Sequence, residues 1–301
     1  MLRNMLRFLP APLQGAILFM ALAVNTIVCS LLLYVVALVK LLIPIRSSRI
    51  VCGKLANAIA DGWVGVNILG LKLTKNICWD VQGIDGLQPD AWYLLVANHQ
   101  SMVDIVVLQS IFHRKIPVLK FFLKKELIWV PFLGIAWWAL DFPFMKRKSS
   151  TRRDMETAYN ACSKFRLLPV TVMNFVEGTR FTTAKREKDR SPFTHLLKPK
   201  PGGMAVVLNA LGQQLNAILD VTIVYPKGAP GLWTFLCSNS VEIKVRVKQM
   251  PVTPELLESV TDPAHRRRFK DWLNKLWDDK DKLIQTMLPV YTHESSGVED
   301  H

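Results

Sequence analysis

The segment "VANHQSMVDI" at residues 96–105 contains a histidine and an aspartate whose spacing could make them a chemical pair. His99 closes one apolar run, and Asp104 follows five positions later as a second apolar run begins. Five residues turn about 500° around an α-helix, so the two side chains would lie far apart if both were helical. They meet only if His99 lies on the turn before a helix and Asp104 lies in its first turn. The carboxylate would then orient an imidazole that acts as a general base.

A purely structural interpretation fits the same residues. The sequence "SMVD" at residues 101–104 is a capping box, in which Ser101 caps the helix and Asp104 returns the hydrogen bond. Short motifs of this kind discriminate poorly. The segment alone therefore leaves the catalytic and the structural interpretation open.

A second polar segment, "NFVEGTR" at residues 174–180, also follows an apolar run. It combines groups suited to binding phosphate, because Gly178 permits an unusual turn, Thr179 supplies a hydroxyl and Arg180 supplies a forked cation. In an open α/β sheet, the strand ends on one edge share a crevice. We therefore expect the two segments to face a single ligand.

The elements that would position these residues are short apolar runs alternating with helical stretches, a pattern typical of an α/β domain. The predicted strands are residues 92–97, 116–123, 169–176, 219–225 and 241–247, and the predicted helices are 50–72, 151–168 and 264–288. The last of these is basic and amphipathic, with an aromatic stripe typical of core packing. We predict an N-terminal region of anchor and interfacial helices (1–75), an α/β domain (76–291) and a disordered tail (292–301).

No charged side chain occurs from Leu13 to Val39. About 20 apolar residues suffice to cross a bilayer, so this segment predicts a membrane anchor. A cleaved signal peptide is the alternative, but the chain left after cleavage would still be strongly apolar. Basic residues are more numerous after the segment than before it, which favours a cytoplasmic α/β domain. Whether the segment spans the bilayer or forms a re-entrant hairpin stays open.

The uncharged stretch at residues 127–140 contains three tryptophans. It is shorter than the roughly 20 residues of a membrane-spanning helix. Burial in the domain core and a location in the lipid interface, where tryptophan is favoured, are both compatible with its composition.

The net charge is +14, and basic residues cluster at 145–153, 185–190 and 265–270. Such clusters attract polyanions, and beside a membrane anchor anionic lipid is a better partner than nucleic acid. The five cysteines are scattered without a C-x-x-C spacing, so neither a disulfide framework nor a metal site is expected.

From about residue 90 to 226 the sequence resembles the glycerolipid acyltransferases of the PlsC type, which include the lysophosphatidate acyltransferases. Asn98, His99 and Asp104 match the family's N-H-x-x-x-x-D motif, and residues 177–180 match its E-G-T-R motif. The fuller wording of these motifs is similar to the branch that contains bacterial YihG-type inner-membrane proteins and the lysocardiolipin acyltransferases.

Three further blocks carry the resemblance in the same order along the chain. They are "KKELIWVPFLG" at residues 124–134, "FMKR" ending in Arg147, and Pro226 after a strand. The sequence departs from the family at Asp141, where the second block usually opens with glycine.

The resemblance implies a glycerol-3-phosphate-acyltransferase-like central sheet flanked by helices, with a membrane-embedded N-terminal segment. It implies transfer of an acyl group from acyl-CoA or acyl carrier protein to the free hydroxyl of a lysophospholipid, above all lysophosphatidate. These thioesters are co-substrates, and no cofactor is expected. The implied location is the bacterial inner membrane, with the catalytic domain on the cytoplasmic side.

The resemblance also implies roles for individual residues. His99 would be the general base and Asp104 would fix its tautomer. The expected substrate-binding residues are Lys124, Arg147, Glu177, Gly178, Thr179 and Arg180. Among these, Lys124, Arg147 and Arg180 would hold the acceptor phosphate, and Glu177 would organise the turn that presents its neighbours.

Other functions remain compatible with the sequence. A non-catalytic, membrane-tethered protein that binds anionic lipid would explain the charge, but it would leave His99 and residues 177–180 without a role. A lipid hydrolase would use water in place of the acceptor, and an acyltransferase could act on another lysophospholipid.

Overall fold

The computed structural model describes residues 8–145, 156, 159–160, 162–257 and 263–289 of the 301-residue chain. The described helices are α1 (Ala11–Leu42), α2 (Arg46–Thr74), α3 (Val103–Phe112), α4 (Leu133–Ala139), α5 (Thr183–Lys188), α6 (Pro201–Leu211), α7 (Leu232–Cys237), α8 (Pro254–Leu257) and α9 (Pro263–Met287). The described strands are β1 (Asn76–Gln82), β2 (Tyr93–Ala97), β3 (Leu119–Phe121), β4 (Leu123–Lys124), β5 (Phe144–Met145), β6 (Thr171–Phe175), β7 (Ala217–Val224) and β8 (Ser240–Met250).

Six strands form one sheet in the order β1-β8-β7-β2-β6-β3, and β4 pairs separately with β5. Strands β7, β2, β6 and β3 run parallel, whereas β8 is antiparallel to β7. The carboxyl ends of β2, β6 and β7 therefore lie at one edge of the sheet. This is the arrangement on which the expected shared crevice depends.

Each face of the sheet carries its own apolar core. One core packs α6 and α9 against side chains such as Leu94, Val172 and Ile218. The other packs α3, α7 and parts of α1 and α2 against Leu95, Met173 and their neighbours. Because β2 is buried on both faces, all five of its side chains are inaccessible to solvent. The mixed α/β class predicted from the alternating pattern is confirmed.

The two N-terminal helices form an antiparallel hairpin that packs against the domain. Leu33 and Val36 of α1 and Ala56 of α2 share an apolar cluster with α4. Ala11–Leu42 is the one helix in the described part of the chain that is long and apolar enough to cross a membrane, judged by length and composition alone. The second helix expected at 50–72 is confirmed and extends over Arg46–Thr74.

Hydrogen bonds also join the two helices. Asn25 donates from Nδ2 to Asn67 Oδ1 (2.8 Å) and to the carbonyl of Trp63 (3.0 Å). The indole N–H of Trp63 donates in return to the hydroxyl of Thr26 at 3.1 Å. These polar side chains lie at the contact between the two helices, and their bonds fix how the helices align.

The predicted strands are confirmed, with one change near the sheet edge. The run at 116–123 divides into β3 and β4, because the chain leaves the large sheet after Phe121 and Leu123 N donates to Pro143 O at 2.9 Å. Strand β1 was not predicted, since its sequence does not form an apolar run. The helix expected at 151–168 is described in part: residues 156, 159–160 and 162–163 are helical and Lys164–Leu167 form a 3₁₀ helix, whereas 151–155, 157–158 and 161 lie outside the described residues. The tail at 292–301 also lies outside them.

The uncharged stretch at 127–140 is partly buried and partly exposed, and its location in the lipid interface stays a prediction. Ala136 and Ala139 are buried against α1 and α2, whereas Trp129 is 85% exposed and Trp138 is 41% exposed. The close packing requires Gly134, because a Cβ there would lie 1.8 Å from the carbonyl oxygen of Ile128.

The C-terminal helix α9 is confirmed over Pro263–Met287, and its aromatic stripe lies in the core. Its Lys280 is 2% exposed and forms an ion pair with Asp220 of β7, with Nζ 2.6 Å from Oδ1. Lys280 also donates to the carbonyl of Val221 at 2.7 Å. Burial lowers the pKa of Lys280, and the neighbouring Asp220 opposes that shift.

We expect Lys280→Met to lower the free energy of unfolding by about 3 kcal/mol, because it leaves the buried Asp220 carboxylate without its cation. Lys282→Met is the matched control, since Lys282 pairs with Asp278 on the exposed side of the same helix. That exposed pair contributes little to the free energy of unfolding. Denaturant titration of both variants measures the difference, and equal losses would contradict the assignment of Lys280 to the core.

Candidate active site

Asn98 fixes the end of strand β2 before the chain turns. Its side-chain amide donates to the carbonyl of Ile223 (2.9 Å), and its Oδ1 accepts from the N–H of Ile223 (2.8 Å). These two bonds continue the pairing of β2 with β7 for one residue beyond the strand. His99 therefore leaves the sheet from a fixed position.

His99 lies on the turn before α3, and Asp104 lies in the first turn of that helix. The imidazole Nδ1 is 2.8 Å from Asp104 Oδ2. The same oxygen accepts from the backbone N–H of Gln100 (2.6 Å) and of Ser101 (2.9 Å). His99, Gln100 and Ser101 thus all contact one carboxylate oxygen. This is the arrangement expected if His99 precedes the helix and Asp104 lies in its first turn.

The capping interaction is present together with this pairing. Asp104 Oδ2 accepts from the N–H of Ser101, and the Ser101 hydroxyl accepts from the N–H of Val103 at 3.1 Å. The hydroxyl proton of Ser101 is donated to the carbonyl of Pro230. The helix cap and the pairing with His99 are therefore compatible, because Asp104 Oδ2 takes part in both contacts.

Tyr225, which follows β7, completes the environment of the carboxylate. Its hydroxyl donates to Asp104 Oδ1 at 2.7 Å. Burial and the neighbouring carboxylate raise the pKa of Tyr225 far above its usual range, so the phenol stays a donor. Asp104 is fully buried, and its described partners are all donors, as an ionised carboxylate requires. With Asp104 ionised, the ring proton of His99 lies on Nδ1 and the lone pair lies on Nε2.

The imidazole ring is held on its flat side by Phe175, the last residue of β6. The two ring centroids are 3.8 Å apart and the planes differ by 8°. The side chain of His99 is 12% exposed. No described residue forms a hydrogen bond with Nε2, so this nitrogen is available to accept a proton from a bound molecule.

Residues that follow β6 form hydrogen bonds with both the backbone N–H and the carbonyl of His99. Glu177 Oε1 accepts from the N–H of His99 at 3.0 Å, and its Oε2 accepts from the N–H of Leu197 at 2.8 Å. The carbonyl of His99 accepts from the N–H of Phe181 at 2.7 Å. Glu177 is 1% exposed, and burial raises its pKa to about 7. This geometry favours a supporting role for Glu177 over direct contact with substrate.

The turn itself exposes the groups expected to bind phosphate. Gly178 has a φ of +71°, a conformation that favours glycine, and a Cβ there would lie 3.3 Å from the side chain of Lys200. Arg180 is exposed and Thr179 is half-buried. The structure therefore brings His99, Asp104 and residues 177–180 together at one edge of the sheet.

Lys124 is not part of this hydrogen-bonded group. It lies on β4, outside the six-stranded sheet, and its side chain is exposed. Arg147 lies outside the described residues, two positions beyond the last residue of β5. Their part in binding stays a prediction.

Tyr225, Phe175 and Lys185 contact the site but were not identified from the sequence. Tyr225 and Phe175 follow or end strands that flank β2, so finding them requires the strand order. Lys185 donates to Thr179 and contributes no motif of its own. Within the described residues, no group of three or more histidine, cysteine or acidic side chains is arranged to hold a metal.

A cavity of about 290 Å³ lies between α1, α2, α3 and α4. Most of the side chains on its walls are apolar, and Ile105, the residue after Asp104, is among them. Leu33 of α1 and Trp137 of α4 contribute other parts of the wall. The N-terminal helices therefore help to form a cavity that the domain alone would not enclose.

Residues 78–226 match the protein-family model described as Acyltransferase. The chain is 28% identical over 203 residues to 1-acyl-sn-glycerol-3-phosphate acyltransferase gamma of Mus musculus, covering 63% of this chain and 52% of the relative. It is 26% identical over 247 residues to lysocardiolipin acyltransferase 1 of Gallus gallus, covering 77% of this chain and 63% of the relative.

The crystal structure of the 1-acyl-sn-glycerophosphate acyltransferase PlsC from Thermotoga maritima is similar to this fold. The TM-score is 0.48 at 17% identity, with 87% of this chain and 97% of that chain covered. The chain spans about half the length, 52%, of the first curated relatives it matches. The YihG-type assignment stays a prediction.

The buried Glu177 should make stability depend on pH. Its pKa is raised from 4.5 to about 7, so the folded state keeps a proton that the unfolded state has lost between these values. Its stabilising contribution is complete below pH 4.5 and falls by about 3 kcal/mol as the pH rises to 7.

Glu177→Gln removes this titration, so we expect the unfolding free energy of the wild type to fall relative to the variant between pH 4.5 and 7. Denaturant titrations of both proteins across this range measure the difference. A constant difference would show that Glu177 does not titrate there. Asp189→Asn, an exposed change beyond α5, is the control and should leave the pH dependence unaltered.

Proposed function

Residues 78–226 of this chain form an acyltransferase-family domain, and on that premise we propose that the protein is a membrane-bound O-acyltransferase. It moves a fatty acyl group from the thioester of coenzyme A or acyl carrier protein to the free hydroxyl of a lysophospholipid, above all lysophosphatidate. One observation carries the proposal: His99 is paired through Nδ1 with a buried carboxylate, while no described residue binds its Nε2.

The reaction needs a base because an alcohol is a poor nucleophile near neutral pH. His99 Nε2 takes the hydroxyl proton as the acceptor oxygen forms a bond to the thioester carbonyl carbon. The tetrahedral intermediate then expels the thiolate, and the imidazolium returns its proton to that sulfur. Such proton transfer contributes about 10²–10⁴ in rate. Asp104 stabilises the imidazolium, and no covalent enzyme intermediate is formed.

Substrate binding would divide between polar and apolar parts of the site. Gly178, Thr179 and Arg180 face the phosphate of the acceptor, and Lys124 and Arg147 are the further cations that we expect to contribute. The apolar cavity beside Ile105 suits a fatty acyl chain, since such sites are concave and lined mainly by hydrophobic side chains. The acyl thioester is a co-substrate, and the proposed chemistry uses no cofactor or metal.

We propose that the helix hairpin lies along one leaflet and does not cross the bilayer. Near one end of α1, a Cβ on Gly15 would lie 2.6 Å from Cys237 Sγ of α7. Near the other end, Lys40 Nζ is 2.6 Å from Asp141 Oδ2, beyond α4. A helix of this length measures about 48 Å. Because both ends contact the same domain, that domain runs beside the helix.

The side chains that α1 turns away from the domain are apolar and exposed, and the same is true of neighbouring α4 and α7. Leu232 and Trp233 of α7 are 42% and 52% exposed, and Ile135 of α4 is 50% exposed. The catalytic turn adjoins this surface, since Ser101 donates to Pro230, just before α7. A lysophospholipid held in the leaflet could therefore present its headgroup to His99. The cytoplasmic leaflet is favoured by the basic residues that follow α1.

We expect His99→Ala to reduce acyl transfer at least about 100-fold, because the general base is lost. His195→Ala is the matched control, since His195 binds Gln285 on α9 and does not touch the catalytic turn. Purified proteins are incubated with radiolabelled acyl-CoA, with and without lysophosphatidate, and the lipid products are separated.

The products distinguish the alternatives. Labelled phosphatidate that depends on lysophosphatidate supports the proposal, whereas free fatty acid formed without the acceptor indicates a hydrolase. An inactive wild type that still binds anionic vesicles indicates a lipid-binding protein. Wild-type activity retained in His99→Ala would rule out His99 as the base. A panel of other lysophospholipids identifies the preferred acceptor.

The position of the hairpin predicts that both ends of α1 face the same compartment. Phe8 and Ile45 lie beyond the two ends and are 90% and 60% exposed. In a variant without native cysteines, Phe8→Cys and Ile45→Cys should react equally with a membrane-impermeant maleimide applied to one side of sealed vesicles. Lys188→Cys in the domain marks the domain's side. Labelling of the two ends from opposite sides would show that α1 crosses the bilayer.

A further inference from the structure

Lys185 reaches back from α5 to the turn that carries the E-G-T-R motif. Its Nζ donates to the hydroxyl oxygen of Thr179 at 2.8 Å and to the carbonyl of Arg180 at 2.9 Å. Thr182 caps α5 by accepting from the N–H of Lys185 at 3.3 Å, so Lys185 lies in the first helical turn. Side chains on a helix lean towards its N-terminus, which explains how Lys185 reaches residues five and six positions earlier.

These bonds determine what the Thr179 hydroxyl can do. A threonine hydroxyl has one proton to donate and two lone pairs, whereas a lysine ammonium only donates. Because Thr179 Oγ1 accepts from Lys185, its proton is free to be donated elsewhere. The Thr179 hydroxyl can therefore donate its proton in a hydrogen bond to an anionic oxygen of a ligand.

Lys185 also lies close to the hydrogen bonds that Glu177 and Phe181 form with the backbone of His99. The carbonyl that it binds belongs to Arg180, and the next N–H, of Phe181, donates to the carbonyl of His99 at 2.7 Å. Lys185 thus holds the stretch of backbone between Thr179 and the contact with His99. The side chain of Lys188, on the same short helix, is exposed and forms no hydrogen bond or ion pair with another described residue.

We propose that Lys185 is a positioning residue that orients the Thr179 hydroxyl to donate a hydrogen bond to the phosphate of the lysophospholipid acceptor. This inference rests on the proposed function. It adds to the site a residue outside the E-G-T-R motif, and it assigns Thr179 the role of a donor to the acceptor. Lys185 acts through Thr179 and needs no contact with the reacting atoms.

The test compares Lys185→Met with Lys188→Met, because each change removes one positive charge from the same helix. Hydrogen bonds that involve a charged group contribute enough that we expect Lys185→Met to raise KM for lysophosphatidate about tenfold or more. The value of kcat should change much less, because the contacts of Glu177 and Phe181 with the backbone of His99 remain in this variant. Lys188→Met should leave both constants unchanged. Equal constants for the two variants would overturn the proposal.

A double-mutant cycle tests the link to Thr179. Thr179→Val alone should raise KM, and adding Lys185→Met to it should raise KM by clearly less than Lys185→Met does in the wild type. If the KM of the double variant rises by the product of the two single-variant increases, Lys185 acts independently of Thr179 and the proposal is overturned.

Thermal unfolding of each variant shows whether it folds. If Lys185→Met does not fold, the comparison of Thr179→Ser with Thr179→Val decides: the serine variant keeps the hydroxyl, so a KM raised equally in both would overturn the proposal. An inactive wild type would contradict the proposed function itself, whereas an active wild type with an unaffected Lys185→Met would contradict only this inference.

Discussion

The buried carboxylate of Asp104 is the constraint on which the turn that carries His99 depends. A charge removed from water is tolerated only where hydrogen bonds replace its solvation. Asp104 is fully buried, and it accepts from two backbone N–H groups, from His99 and from Tyr225. Those donors come from the turn after β2 and from the residue after β7, whereas Asp104 itself lies in the first turn of α3. The carboxylate is therefore satisfied only when all three elements are in their final register, so correct folding and correct orientation of the imidazole are the same event.

The second motif is joined to the first through the backbone of His99. Glu177 binds the N–H of this residue and Phe181 binds its carbonyl, so the turn after β6 holds the turn after β2. The two motifs are separated by more than seventy positions along the chain, but β2 and β6 are neighbours in the sheet. A displacement of the proposed phosphate-binding turn would therefore also displace the proposed base. This coupling gives a physical reason for finding both motifs in one chain.

The sequence was sufficient to predict the strands around the site and the turn geometry of His99 and Asp104, because a five-residue spacing excludes a shared helical face. It was insufficient for contacts that depend on strand order, such as that of Tyr225. Asp141 shows a different limit. Its φ is +59°, the left-handed conformation that glycine favours, and it pairs with Lys40 at the end of α1. A substitution that looks like a departure from the family therefore lies in a backbone conformation that glycine favours and adds a contact to the hairpin, which the local sequence does not reveal.

If the hairpin of α1 and α2 lies in lipid, the association of the two helices needs a separate explanation. Between apolar helices in a bilayer the hydrophobic effect supplies little driving force, so close packing and hydrogen bonds must hold them together. The bonds of Asn25 with Asn67 and of Trp63 with Thr26 meet this need. They fix α1 against α2, and α1 in turn forms part of the cavity beside α3. Because the cavity wall is shared between the hairpin and the domain, the alignment of the two helices determines the shape of the space available to an acyl chain. The hydrogen bonds between α1 and α2 thus influence the shape of the proposed acyl-chain cavity without contacting the substrate.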